Sequence, residues 1–337
     1  LQRPALRGIT INTLNLRLEF WLRRAWHRWC LFLALRETCA DPWRCPVDMR
    51  AAAVILIALG LAGVTVARAE PLRVVAAENF YGDIVEQLGG TNVKVLSVLT
   101  NPDQDPHLFA VSASTARAVA TARLVIFNGA NYDSWMLRLL SASPAAQREV
   151  IEVARVVQRT VGDNPHFWYD PTTIPILARA VSAVLRRLDP DHRAEYAARL
   201  TTFKASLRPL NDKIAALRRR YSGVPVTATE SIFNDMADAI GLTVRNQTFQ
   251  LAVMNGVEPG AAEIAAFQQD LKTRAVKVLL YNQQTTDELT ARMLTLAKRS
   301  DVPIVAVTET EPPQVHFQDW MLEQLTLLGA ALAGNSP

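Results

Sequence analysis

Eight apolar residues in the middle of the chain, Tyr196, Leu200, Phe203, Leu207, Leu210, Ile214, Leu217 and Tyr221, follow one another at spacings of 4, 3, 4, 3, 4, 3 and 4. Spacings of three and four return to the same side of an α-helix, so the pattern predicts one helix with a single apolar stripe. Asp189-Pro190-Asp191 supplies a start signal and Ser222-Gly223 a stop, which sets the segment at 189–222. The stripe needs a partner. It covers fewer than four heptads and has α/β sequence on both sides, which favours packing within the chain over a coiled-coil dimer.

On either side of this segment, short β-branched runs alternate with amphipathic ones. Residues 72–77, 93–98 and 124–127 read as strands before it, and 224–229, 276–281 and 304–307 after it. Strand and helix in alternation imply parallel sheets covered on both faces. The expected fold class is α/β, with two lobes, each a parallel sheet flanked by helices, joined by one long rigid helix. The N-terminal lobe is set at 70–188, the linking helix at 189–222 and the C-terminal lobe at 223–337. The 268 residues from Glu70 onward suffice for two lobes of ordinary size.

Residues 1–69 are of another kind. Met49-Arg50, the 16-residue apolar stretch 51–66 and the small-x-small site Ala67-Arg68-Ala69 before Glu70 form the three parts of a secretory signal peptide. The stretch is shorter than the roughly 20 residues that span a bilayer comfortably, which favours cleavage over an anchor. Leu61-Ala62-Gly63-Val64 lacks the cysteine of a bacterial lipid attachment site, so a soluble periplasmic product is expected. Residues 1–48 hold all three cysteines and four of the seven tryptophans, and read as an upstream segment outside the mature protein. The apolar and basic run Phe20-Trp21-Leu22-Arg23-Arg24-Ala25-Trp26 leaves a short membrane-associated or regulatory leader as the alternative.

Residues 1–69 carry ten of the 36 basic and four of the 32 acidic residues, which leaves 26 and 28 in the mature part. The basic character of the whole chain is therefore no signal for nucleic acid. Without cysteine, disulfide frameworks and thiolate zinc sites are both excluded there.

Four histidines remain, and two have matched settings: Asp105-Pro106-His107 and Asn164-Pro165-His166. Proline fixes its own φ and restrains the residue before it, so each imidazole is offered from a stiff, extended turn. His107 follows a predicted strand, at the sheet edge where ligands bind in doubly wound folds, with Ser112 or Ser114 able to cap the next helix. His166 leads into Phe167-Trp168-Tyr169, which would shield a site from water, and Asp170-Pro171 then caps a helix over 172–188. Glu230 sits just past the strand at 224–229 and Glu309 just past that at 304–307. For Glu230, at a strand-to-helix junction, the plainer role is to favour the helix dipole. Two imidazoles and two carboxylates on four loops, two per lobe, suit a mixed nitrogen and oxygen cage for a divalent metal. His192, at the start of the long helix, and His316, before the last helix, are assigned to structure or solvent. The sequence has no His-Glu-x-x-His, Gly-x-Ser-x-Gly, Walker-type loop or Gly-x-Gly-x-x-Gly after a strand, and Ser231 has no Gly-flanked elbow.

The run from about Leu72 to Ala333 resembles the metal-binding, solute-binding proteins of bacterial ABC transporters of the zinc and manganese type. The resemblance rests on Asp105-Pro106-His107, Asn164-Pro165-His166-Phe167-Trp168, Gly256-Val257-Glu258-Pro259-Gly260-Ala261-Ala262-Glu263-Ile264 and Val307-Thr308-Glu309-Thr310. It implies two α/β lobes with a metal between them, handed to a membrane permease driven by a separate ATPase. By position it implies His107 and His166 as N-lobe ligands, Glu230 as third and Glu309 as fourth. The fourth position is usually Asp, which leaves the register between Glu309 and Glu311 open. The third is His in many zinc members and Glu in many manganese members.

Two imidazoles with two carboxylates form a harder set than three imidazoles with one, which moves preference toward manganese, whereas the intrinsic order of affinities places zinc above it. Zinc and manganese both stand, with zinc the ion better retained and iron third. A cage closed by four protein ligands leaves no open position to activate water, so a monomeric carrier and not an enzyme is expected. Tyr281, Asn282 and Gln283 end a C-lobe strand and are candidates to orient Glu230 or Glu309. The rivals are a periplasmic metallohydrolase and a metal-stabilised adhesin.

Overall fold

The computed structural model describes residues 70–101, 109–284 and 287–334. The chain runs β1 (Leu72–Glu78), α1 (Asn79–Gly89), β2 (Val93–Leu99), α2 (Ala113–Thr121), β3 (Leu124–Phe127), α3 (Ser134–Ala142), β4 (Glu149–Glu152) and α4 (Val153–Val156). Helices α5 (Thr173–Leu188), α6 (Arg193–Ser206) and α7 (Arg208–Tyr221) follow. The second half runs β5 (Pro225–Ala228), α8 (Asn234–Ile240), β6 (Thr243–Val244), α9 (Gln247–Met254), α10 (Ala261–Lys272), β7 (Leu279–Asn282), α11 (Glu288–Arg299), β8 (Ile304–Val307) and α12 (Phe317–Leu332).

Both sheets are parallel, with the same order: β2-β1-β3-β4 and β6-β5-β7-β8. In each, the chain steps to one side of its first strand and then crosses to the other. This places a topological switch point at the C-terminal ends of β1 and β3 and of β5 and β7, where such sheets open a crevice. All six strands expected from sequence form, with ends shifted by up to three residues. β4 and β6 were not expected. They are edge strands of four and two residues, too short and too little apolar to show a pattern.

The long central helix differs from expectation. Its stripe is buried from Tyr196 to Tyr221, with Leu200 partly so, but the helix is interrupted at Leu207, where ψ is −8°. The cause is Pro209, which has no N–H to bond the carbonyl of Ala205 and whose ring crowds that carbonyl. The break separates two sets of partners. α6 packs on α1 and α5 of the first half, and α7 on α8 and α12 of the second.

One continuous apolar core includes residues of both sheets, with a chain of aromatic rings at its centre. Phe80 of α1 lies 4.7 Å from Trp168 and 5.9 Å from Trp320 of α12, and Tyr169 lies 5.1 Å from Phe233. A polar seam runs beside it. Asn79 exchanges hydrogen bonds with the backbone of Glu311, Asp83 accepts from Phe317 N, and Gln318 donates to Gln87. His316 Nδ1 lies 2.6 Å from Asp83, and His192 Nδ1 2.7 Å from Asp189, in keeping with structural roles for both.

Phe80 is fully buried between the halves, so Phe80→Ala leaves a cavity that neither half can close alone. A loss of about 3–5 kcal/mol is expected, read from the midpoint of urea unfolding.

Candidate metal centre

Glu230 lies two residues beyond β5 in extended backbone, φ −149° and ψ 159°, at the entrance of a 3-10 turn, Ser231–Phe233. Its side chain makes no capping bond, so the carboxylate is not committed to the helix start. Glu309 lies two residues beyond β8, and its N–H and that of Thr310 both donate to Gln284 Oε1, at 2.6 and 3.0 Å. His166 comes from the first half, just before the turn Phe167–Tyr169 that opens toward α5.

These three side chains meet. One ligand atom from each of His166, Glu230 and Glu309 lies within 4.8 Å of the others, and all three residues are at most 1 % exposed. His107 lies outside the described residues. Glu311 lies outside the cluster, with its backbone held by Asn79; burial, then Asp83 and Glu86, push its carboxyl up to about 9.

The imidazole is oriented by its neighbours. Asn164 Nδ2 donates to the carbonyl of Ser231 at 2.7 Å, which turns Asn164 Oδ1 toward His166 Nδ1 at 2.8 Å. An amide oxygen only accepts, so a ring proton sits on Nδ1, and Nε2 is the nitrogen that faces the acids. That Nε2 is buried without a hydrogen-bond partner, 3.5 Å from Glu309 Oε2. Two donors on one tetrahedral zinc at about 2.0–2.1 Å would sit roughly 3.3 Å apart. The separation therefore suits two ligands of one ion.

The carboxylates are held from behind. Asn282, the last residue of β7, donates through Nδ2 to Glu230 Oε2 at 2.8 Å and to Glu309 Oε1 at 2.6 Å. Of the three candidates at this strand end, Asn282 is the orienting donor; Tyr281 is half-buried and Gln283 exposed. Tyr132 Oη donates to Glu309 Oε2 at 2.8 Å, and burial, then the Glu309 and Glu78 carboxylates, raise its pKa well above the ordinary phenol, so the proton stays on. Tyr132 and Trp168 stand edge-on to the imidazole at 5.8 and 5.2 Å. Of the three consecutive aromatics, Trp168 thus walls the site.

Sequence reasoning missed Tyr132 and Gln284. Tyr132 follows β3 across Gly129, Ala130 and Asn131, at φ of 83°, 50° and 70°. The sequence signal for this loop is Asn128-Gly129 with Asn131 after a predicted strand, the residue types that tolerate left-handed backbone in turns.

Beneath the site lies a second pair of acids. Asp133 accepts from the N–H groups of Asn128 and Gly129 at 2.6 and 2.8 Å, and burial raises it to about 6. Glu78, fully buried with no donor to either oxygen, is raised well above 4.5 by burial and then by Asp133. Asn128 connects the pair to the site, donating to the Pro165 carbonyl at 2.9 Å, next to His166. The folded chain keeps a proton on Glu78 that the unfolded chain loses above 4.5. Stability from this group is thus complete below that pH and lost as pH rises toward the folded pKa. Glu78→Gln should flatten the fall in melting temperature of the metal-free protein between pH 5 and pH 8; an unchanged slope would show that Glu78 is not the group responsible.

The profile of the family described as zinc-uptake complex component A, periplasmic (ZnuA), matches residues 74–331. A putative metal-binding protein of Treponema pallidum is 22% identical over 305 residues, 82% of this chain and 93% of that protein. The manganese ABC transporter substrate-binding lipoprotein PsaA of Streptococcus mitis is 21% identical over 277 residues, 77% and 86% of the two chains. Among solved structures, the periplasmic zinc binding protein TroA from Treponema pallidum aligns with a TM-score of 0.65 at 17% identity, covering 79% of this chain and 99% of that one. This last likeness establishes the two-sheet α/β fold. With 258 residues matched from β1 to α12, the chain belongs to the ZnuA family of periplasmic metal-binding proteins.

Proposed function

We propose that this chain is the extracytoplasmic solute-binding component of an ABC importer for a divalent transition metal, zinc or manganese. His107, His166, Glu230 and Glu309 hold the ion between the lobes at 70–188 and 223–337, linked by 189–222. The monomeric carrier then delivers it to a membrane permease driven by a cytoplasmic ATPase. The observation that carries this reading is the convergence of a buried imidazole nitrogen and two carboxylates, from both halves of the chain, with all three residues at most 1 % exposed. Burying an ion costs several kcal/mol, roughly, even after relaxation, and a charge-assisted hydrogen bond contributes about 1.5–3 kcal/mol. The bonds from Asn282 and Tyr132 make the cluster tolerable without metal, while a divalent cation satisfies both charges and the imidazole at once. The relatives are named as manganese transporter substrate-binding and zinc-binding proteins, which supports cargo and partner alike.

His107 enters through its Pro-His motif, matched to that of His166. A cage filled by protein ligands binds and releases an ion but offers no open position for catalysis. Export through a cleaved signal at 49–69 fits the family's periplasmic description, and no helix among the described residues is long and apolar enough to cross a membrane.

Calorimetric titration of zinc and manganese into the metal-stripped protein tests the ligand set. His107→Ala, His166→Ala, Glu230→Ala and Glu309→Ala should each weaken binding more than a change beside the ligands does, that is by more than about 100-fold. Retained affinity removes that residue from the site. The intact mass of the exported protein should correspond to a chain beginning at Glu70; a mass that includes 49–69 refutes cleavage there.

A further inference from the structure

We infer that Asn282 determines which metal the site prefers, by limiting Glu230 and Glu309 to one oxygen each and so favouring a four-coordinate ion such as zinc over a six-coordinate one such as manganese. The inference rests on the metal-carrier reading above and adds to it the choice of cargo.

Sheet order makes the arrangement possible. β7 lies between β5 and β8, so its last residue stands between the two acids that follow those strands. From there one amide nitrogen holds both, with Glu230 Oε2 at 2.8 Å and Glu309 Oε1 at 2.6 Å. The amide cannot turn over without loss. Its Oδ1 accepts from Gln284 N at 3.0 Å, and only the NH2 end can face two carboxylates. Glu309 is fixed at three points: Asn282 at Oε1, Tyr132 at Oε2, and Gln284 at its backbone N–H.

Zinc is satisfied by four nitrogen or oxygen donors in a tetrahedron, whereas manganese belongs with the ions that take six oxygen-rich ligands in an octahedron. In a site whose described ligands are at most 1 % exposed, further donors come most directly from the second oxygens of the carboxylates. Chelation through both oxygens requires each carboxylate to swing on its side chain. Here both are tied to one nitrogen, so a swing by either pulls on the amide that also positions the other. The harder donor set that would suit manganese is thereby held in the geometry of zinc.

The test uses the full chain with two substitutions. Asn282→Ala removes the amide that both carboxylates share, leaving Glu309 to Tyr132 and Gln284, and Asn282→Ser is the milder change, with a hydroxyl one atom short of the amide nitrogen. Zinc and manganese affinities are measured by titration, and the visible spectrum is recorded with cobalt(II) in place of either. Wild-type protein should give the intense bands of four-coordinate cobalt. Asn282→Ala should give the weak bands of a higher coordination number, with the ratio of zinc to manganese affinity falling about tenfold or more, and Asn282→Ser should fall between. A ratio within twofold of wild type in both variants, an unchanged cobalt spectrum, or a six-coordinate spectrum in the wild-type protein overturns the inference. If Asn282→Ala fails to fold, Asn282→Ser alone decides. Wild-type protein that binds neither metal sinks the carrier reading itself, an outcome distinct from binding that is indifferent to Asn282.

Discussion

Two carboxylates and an imidazole ring, all removed from water, are the constraint around which this molecule is arranged. Like charges cannot be brought together in a low-dielectric interior unless donors face them or a cation joins them. The chain supplies the donors from the ends of neighbouring strands and loops: Asn282 from β7, Tyr132 beyond β3, and Gln284 behind the backbone of Glu309. Each comes from the C-terminal edge of a parallel sheet, because that is the edge both sheets turn toward the site.

The two sheets do not behave as separate bodies with separate interiors. Phe80, Trp168, Tyr169, Phe233 and Trp320 make one aromatic core across the halves, and α1 is tied to the segment around α12 by Asn79, Asp83 and Gln87. The interruption at Leu207 fits this picture. A straight helix would carry its stripe along one line, whereas the break before Pro209 lets α6 follow the first half and α7 the second.

Much of this was legible in the residues. Alternation of β-branched and amphipathic runs carries the α/β class because strand and helix periodicities are local properties, and six of the eight strands show them. β4 and β6 do not, since β4, Glu149-Val150-Ile151-Glu152, has an acid at each end and β6 is only two residues long. Pro-His turns and acids just past strands pointed to His166, Glu230 and Glu309, because the chemistry of a ligand and the stiffness of its turn are both written locally. Pro209 was equally visible; its effect was masked by a heptad pattern that continues through it.

By itself, the sequence determined the fold class, the apolar stripe and the identity of the groups with chemistry to offer. Only the tertiary structure decided which nitrogen of His166 faces the acids, that one amide serves both acids, and that Glu309 rather than Glu311 joins the cluster. The physical reason is that hydrogen-bond direction and burial depend on neighbours far apart in the chain: Asn164 with Ser231, Glu230 with Asn282, Tyr132 with Glu309. No local pattern carries information about pairs that exist only once the sheets are packed.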